Sequence, residues 1–236
     1  MFKGHDVLPT DARFAPDGGT VLSSDMKGRV VQWAVDGSST RELRPAGAGE
    51  GSSLVYGIEM SPDGQTLVLP GVKSQVLEMS SLKPRFALQD SAVALSPDGQ
   101  KLLVRRDGVL RVLEVAGGKE LSVLAGSHAQ ASTMSFSPDG RLLLVVSRAT
   151  EGGLFDVASG RLLRKLAIDE KSVIQGAEFS ADGSSIVVLS GERTLRRFPC
   201  HECRPMEQLI KDAKRRIARN LTPEERRSVG LPELSR

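Results

Sequence analysis

Residues 132–146 read Ser132-Thr133-Met134-Ser135-Phe136-Ser137-Pro138-Asp139-Gly140-Arg141-Leu142-Leu143-Leu144-Val145-Val146. The first six residues alternate polar and apolar, the pattern of a half-buried strand. Pro138-Asp139-Gly140 then turns the chain. Proline presets φ at the first corner, aspartate bonds its own backbone, and glycine accepts positive φ. Leu142–Val146 is a continuous apolar run, which suits a strand buried on both faces. A polar turn over Ser147–Gly152 predicts a third strand over Gly153–Val157, and Ala158-Ser159-Gly160 predicts a fourth over Leu162–Ile168.

The same turn occurs at Pro16-Asp17-Gly18, Pro62-Asp63-Gly64 and Pro97-Asp98-Gly99, with Ala181-Asp182-Gly183 as a variant. Its aspartates are 46, 35, 41 and 43 residues apart. A period near 40, with a short apolar run beyond each turn, marks a radial β repeat. The first unit is predicted as Asp11–Ala15, Thr20–Ser24, Arg29–Val35 and Thr40–Arg44. The second is Tyr56–Ser61, Thr66–Leu69, Gln75–Met79 and Arg85–Leu88. The third is Ala92–Ser96, Lys101–Arg105, Val109–Val115 and Glu120–Leu124. The fifth supplies Val173–Ser180, Ser185–Ser190 and Arg193–Phe198, with no fourth strand after it. The fold class expected is all-β, a propeller-type array of about five four-stranded blades with a short C-terminal helical tail. Domain limits are 1–199 for the blades and 200–236 for a Cys-x-x-Cys linker and tail. Closure of five blades would need Phe2–His5 to pair beside Arg193–Phe198, and Trp33 is expected to be buried between blades.

The repeats resemble those of WD-repeat β-propellers in a degenerate bacterial style. Gly4-His5, the Ser-Pro-Asp-Gly-type turns, Trp33 at the end of its strand and Phe155-Asp156 carry the likeness. Met79-Ser80, Leu113-Glu114 and Phe198-Pro199 stand where the closing Trp-Asp pair would be, and His128 sits near a blade histidine position. The sparseness of these polar residues predicts blades held by apolar packing rather than by buried His/Asp/Trp networks. The ending, Cys200-His201-Glu202-Cys203 followed by a helical pattern and Leu221-Thr222-Pro223-Glu224-Glu225, resembles the tail of many bacterial WD-repeat signalling proteins. Some of those carry an upstream NTPase or kinase domain. Gly47–Ser53 has glycines but no P-loop lysine and reads as an inter-blade loop.

Chemistry-bearing residues are few. The turn aspartates are recruited by turn geometry, and three histidines lie in unrelated contexts. No catalytic, cofactor-binding or metal residue is assigned. Cys200 and Cys203 leave three readings open: a packed thiol corner, a disulfide, or half of a zinc site, which needs four ligands. In the tail, Met206, Leu209, Ile210, Ala213 and Ile217 form a helical stripe opposite Lys211, Lys214, Arg215, Arg216 and Arg219. This stripe is expected to dock on the last blades with its basic face outward. Residues 200–236 hold nine Lys+Arg against six Asp+Glu, and the rest of the chain balances at zero. The body therefore has no global field for nucleic acid or an anionic membrane. The N-terminus lacks a signal-peptide core and no apolar run nears the ~18 residues of a membrane span, so a cytoplasmic place is expected.

The functional expectation is a non-catalytic interaction scaffold or sensor, binding a protein partner on loops or blade edges. Arg44–Ser53 and Gly126–Ala131 are the candidate loops, and Arg105-Arg106 and Arg196-Arg197 face solvent or a partner. The rival classes are a propeller hydrolase with carboxylates at the channel mouth and a fragment of a larger signalling ATPase or kinase.

Overall fold

A computed structural model describes residues 4–44, 57–71, 74–86, 88, 90–126, 131–147, 151–167, 174–191, 194–204, 211 and 214. Blade 1 comprises β1 (Pro9–Phe14), β2 (Thr20–Asp25), β3 (Val30–Ala34) and β4 (Thr40–Arg44). Blade 2 comprises β5 (Glu59–Met60), β6 (Thr66–Leu69) and β7 (Gln75–Glu78). Blade 3 comprises β8 (Ser91–Leu95), β9 (Lys101–Arg106), β10 (Val109–Glu114) and β11 (Glu120–Val123). Blade 4 comprises β12 (Ala131–Phe136), β13 (Leu142–Ser147), β14 (Glu151–Asp156) and β15 (Leu162–Ala167). Blade 5 comprises β16 (Ile174–Phe179), β17 (Ser185–Ser190) and β18 (Leu195–Pro199). Every blade is an antiparallel meander in chain order.

Three expectations are corrected. The third strand of blade 4 begins at Glu151, inside the stretch expected to be a turn, because Val146 pairs with Gly152. Blade 2 has no fourth strand among its described residues; only a single bridge joins Leu77 to Pro84. Proline there has no N–H to carry a ladder onward. His5 is bound to blade 1 and not to blade 5, and β18 has no neighbour other than β17 among the described residues. Phe2 and Lys3 lie outside the described residues.

The second strands explain how the blades stack. Leu142, Leu144 and Val146 face blade 5, packed with Ile174, Ile186 and Val188. Leu143 and Val145 face blade 3, packed with Leu103, Leu110 and Val112. In blade 2, Leu67 and Leu69 pack with Leu22 and Val30 of blade 1, whereas Val68 packs with Leu102 and Val104 of blade 3. A strand with period-2 alternation and apolar residues at every position thus feeds two interfaces at once. Blade 5, at the end of the array, shows the converse. On β17, Ile186 and Val188 are buried against blade 4, yet Leu189 on the other face is 41% exposed.

The five turns form a tier at one end. Their glycines, Gly18, Gly64, Gly99, Gly140 and Gly183, have φ between 66° and 70°. In four of them serine and aspartate act together. Ser137 Oγ donates to Asp139 Oδ1 and accepts Leu142 N–H, and Ser61, Ser96 and Ser180 do the same for their own turns. The turns also lean on one another. A Cβ on Gly99 would lie 2.7 Å from Ser61 Cβ of the preceding turn, and one on Gly183 would lie 3.6 Å from Pro138.

Candidate functional site: the axial cleft and the end blades

The first strands converge on the axis, where β8 touches β5 and β12, and β12 touches β16. Between them opens a cleft of about 530 Å³, lined by residues of blades 1 to 4. Its charged residues are Asp11, Arg13, Glu59 and Arg105. Asp11 stands on β1 and crosses to the next blade: its Oδ2 accepts Ile58 N–H at 3.0 Å and Arg13 Nε at 3.2 Å. Arg13 in turn lies 3.8 Å from Glu59. Burial acts to raise the Asp11 carboxyl, but the Ile58 N–H and Arg13 outweigh it and hold it below its ordinary value. Glu59 goes the other way: burial pushes it up, and Arg13 offsets only part of that. Arg105 donates to the Ala131 carbonyl at 2.8 Å across to blade 4. These four charges are held in place by neighbouring blades, so the cleft presents a fixed pattern of alternating sign.

The sequence pattern singles out Arg105 as facing solvent or a partner, and the structure places it in this cleft; Asp11, Arg13 and Glu59 were missed. Nothing in their local pattern marks them, because the sites come together only when the inner strands meet. Among the described residues lining this cleft there is no histidine, cysteine or lysine. Among the described residues no three His, Cys, Asp or Glu side chains are grouped as metal ligands would be. The candidate loops Arg44–Ser53 and Gly126–Ala131 lie mostly outside the described residues, as do Gly47–Ser53, His128 and the tail stripe Met206, Leu209, Ile210, Ala213 and Ile217. Arg44 is buried and donates to the Gly28 carbonyl at 2.6 Å. Lys211 and Lys214 are helical and exposed.

Blade 1 corrects the expectation of blades without buried polar networks. His5 Nδ1 lies 2.9 Å from Asp25 Oδ2, His5 Nε2 lies 2.6 Å from Ser23 Oγ, and Trp33 Nε1 donates to Ser23 Oγ at 2.7 Å. Asp25 also caps its own turn by accepting Lys27 and Arg29 N–H. The aspartate of this network sits at the turn after the second strand, eight residues before Trp33, and not directly after the tryptophan where the Trp-Asp pattern directs attention. Trp33 is buried, but beside His5 rather than between blades 1 and 2, which corrects the expected inter-blade position. It stands opposite Val21 and so on the face of blade 1 turned away from Leu22 and blade 2. Blade 3 holds a different polar anchor: Asp90, almost wholly buried, takes two bonds from Arg106 at 2.6 and 2.7 Å.

Cys200 and Cys203 are joined as a disulfide, and Cys200 is buried in the core between blades 4 and 5. Disulfides persist in oxidising compartments, so this bond gives no support to a cytoplasmic place. No helix among the described residues is long and apolar enough to cross a membrane.

No family model matches the chain. It is 26% identical over 146 residues to the WD repeat-containing protein sll1491 of the cyanobacterium Synechocystis sp. (strain ATCC 27184 / PCC 6803 / Kazusa), a match that takes in 57% of this chain and 40% of that protein. The chain thus spans well under half the length of this curated relative. Among solved structures it resembles the β-propeller domain of Cps50 (Swd1) from Myceliophteria thermophila, with a TM-score of 0.66 and 16% identity, covering 83% of this chain and 66% of that one. Repeat pattern, blade stacking and these likenesses agree on one description: a β-propeller array of degenerate WD repeats of the bacterial kind.

Proposed function

We propose that this chain is a non-catalytic interaction module whose axial cleft receives a polar segment of a protein partner. The observation that carries this reading is the chain of fixed charges from Asp11 through Arg13 to Glu59, with Arg105 beyond, displayed on three neighbouring blades. Rigid scaffolds commonly bind through side chains that are already oriented, because little ordering entropy remains to be lost. Asp11 is engaged by two backbone N–H groups and Arg13, which leaves it ill suited to act as a nucleophile or base.

The test compares two variants. Partners cross-linked to the wild-type protein in its source cells should be lost from an Arg13→Glu, Arg105→Glu double variant that keeps its fold. An unchanged partner set sinks the reading. Hydrolysis of lactone or phosphate-ester substrates that disappears in Glu59→Gln would favour the hydrolase class instead.

A further inference from the structure

Blade 5 differs from blades 1, 3 and 4 in lacking a fourth strand among its described residues, so the outer edge of β18 pairs with nothing described there. Where that strand would run there is a groove of about 300 Å³ between β15 of blade 4 and β18. Arg164, Lys165, Leu166, Val188, Phe198 and His201 line it. Its floor is apolar, continuous with the core shared by blades 4 and 5. Its rim is basic. Arg164 stands opposite Leu154 and so leans toward blade 5, and Arg196, half-buried, stands opposite Val188 on the same side. Among the described residues Arg164 is paired with one acid, Glu202, at 3.4 Å. Arg164 Nη1 donates to the Pro199 carbonyl at 3.5 Å, while its Nε and Nη2 are buried and have no hydrogen-bond partner among the described residues.

We propose that the edge of β18 is a docking strand for an extended acidic peptide of a partner protein, which completes blade 5 as its fourth strand. A free strand edge offers backbone N–H and C=O groups to an incoming strand, and pockets for alternate side chains supply specificity. Here the alternate positions facing inward meet Arg164, Arg196 and the apolar floor. A carboxylate is the natural partner for guanidinium nitrogens that lack an acceptor, since paired N–H···O bonds are charge-assisted. This surface lies on the outer side of blades 4 and 5 and is separate from the axial cleft, so either proposal stands without the other.

The experiment uses the full chain and a fluorescein-labelled heptapeptide of alternating Val and Glu, read by anisotropy and by amide hydrogen exchange. Saturable binding is expected, weakening as salt rises. Arg164→Glu with Arg196→Glu should lower affinity by about tenfold or more. The exposed Lys165→Glu, which disturbs no core packing, should weaken binding in the same direction with an unchanged melting curve. Amides of Leu195–Phe198 should gain protection when the peptide is added. A probe N-methylated at alternate peptide bonds should lose binding, and so should one with Lys in place of Glu. Absence of binding to the full chain overturns the proposal, as does equal binding of the Lys probe. Equal binding of the N-methylated probe reduces the site to a basic surface and also overturns strand addition.

Discussion

Trp33 donates its indole N–H to Ser23 Oγ at 2.7 Å, and that single bond orders a whole chain of donors. Indole nitrogen only donates and carboxylate only accepts. The Ser23 hydroxyl hydrogen is therefore left for His5 Nε2, and His5 Nδ1–H is left for Asp25. One tautomer of His5 satisfies every bond. The network ties the segment before β1 to the second and third strands, and Gly4 makes room for it, since a Cβ there would lie 2.3 Å from the Trp33 ring.

Removing a member of this chain leaves a buried partner without its bond. His5→Ala strands Asp25 Oδ2 and should cost roughly 2–3 kcal/mol. Trp33→Ala loses a large buried side chain and should cost about 3–5 kcal/mol. Chemical denaturation of His5→Ala, Trp33→Phe and the double variant should show non-additivity of at least ~0.5 kcal/mol. Additive effects would show that the bonds do not act as a unit. In the wild type, Trp33 emission should be blue-shifted and should move red on unfolding.

The turns, strand order and blade count were legible because they rest on local rules. Pro, Asp and Gly each impose a backbone preference, and period-2 alternation shows in any short window. The blade 1 network was half legible: Gly4-His5 and Trp33 stood out, but Ser23 and Asp25 look like ordinary strand-end residues until strand pairing brings them together. The axial cleft was hardly legible at all. Asp11, Glu59 and Arg105 are 48 and 46 residues apart in turn, and only the convergence of first strands makes them neighbours. Blade 5 has three strands among its described residues, those the sequence pattern predicts, yet the groove beside β15 depends on the facing of Arg164, which no single-blade pattern reveals.

Acid should loosen the turn tier. The Ser180 hydroxyl and the Ser184 N–H and hydroxyl hold the Asp182 carboxyl down to about 2, and Ser61 Oγ–H with Gln65 N–H lowers Asp63 likewise. A carboxyl lowered in the folded state contributes stability that is complete above its unfolded value of about 3.9 and is lost as pH falls through the folded value. The melting temperature should therefore fall from about pH 4 toward pH 2, and less steeply in Ser180→Ala. Glu59 has the opposite sign. Its carboxyl is raised by burial, so ionising it costs stability as pH climbs through and above the ordinary range. Glu59→Gln should melt higher than wild type at pH 7 and equally at pH 3; a lower melt at pH 7 would mean that its pairing with Arg13 outweighs its burial.

The Cys200–Cys203 bond closes a short loop, so chain entropy limits its worth to about 2 kcal/mol. Arg141 also holds this corner through the Arg204 carbonyl at 3.1 Å, and Arg164 through Glu202. Reduction should lower the melting temperature by a few degrees without unfolding blades 1 to 3. Thiol titration of the native, unreduced protein should find no reactive thiol, and two after denaturation in reductant. Two reactive thiols before reduction would refute the bond.

Turn glycines with the same φ should differ in cost according to what they touch. Gly18 and Gly99 have φ of 66° and 70°. A Cβ at Gly18 meets nothing within 4 Å, whereas one at Gly99 would be 2.7 Å from Ser61 Cβ and 3.2 Å from Pro62 Cδ of the previous blade. Alanine in the left-handed region costs roughly 1–2 kcal/mol by itself. Gly18→Ala should therefore lose about that much, measured by denaturant titration. Gly99→Ala must also push two turns apart, and that overlap adds about 1–3 kcal/mol. The Ser61 side of the contact can be relieved by Ser61→Gly, at the expense of the Asp63 bond. If the turns form a load-sharing tier, the loss at Gly99 exceeds that at Gly18 and shrinks in the Ser61→Gly background. Equal losses at Gly18 and Gly99 would show that the turns are independent of one another and that the blades are joined by their apolar faces alone.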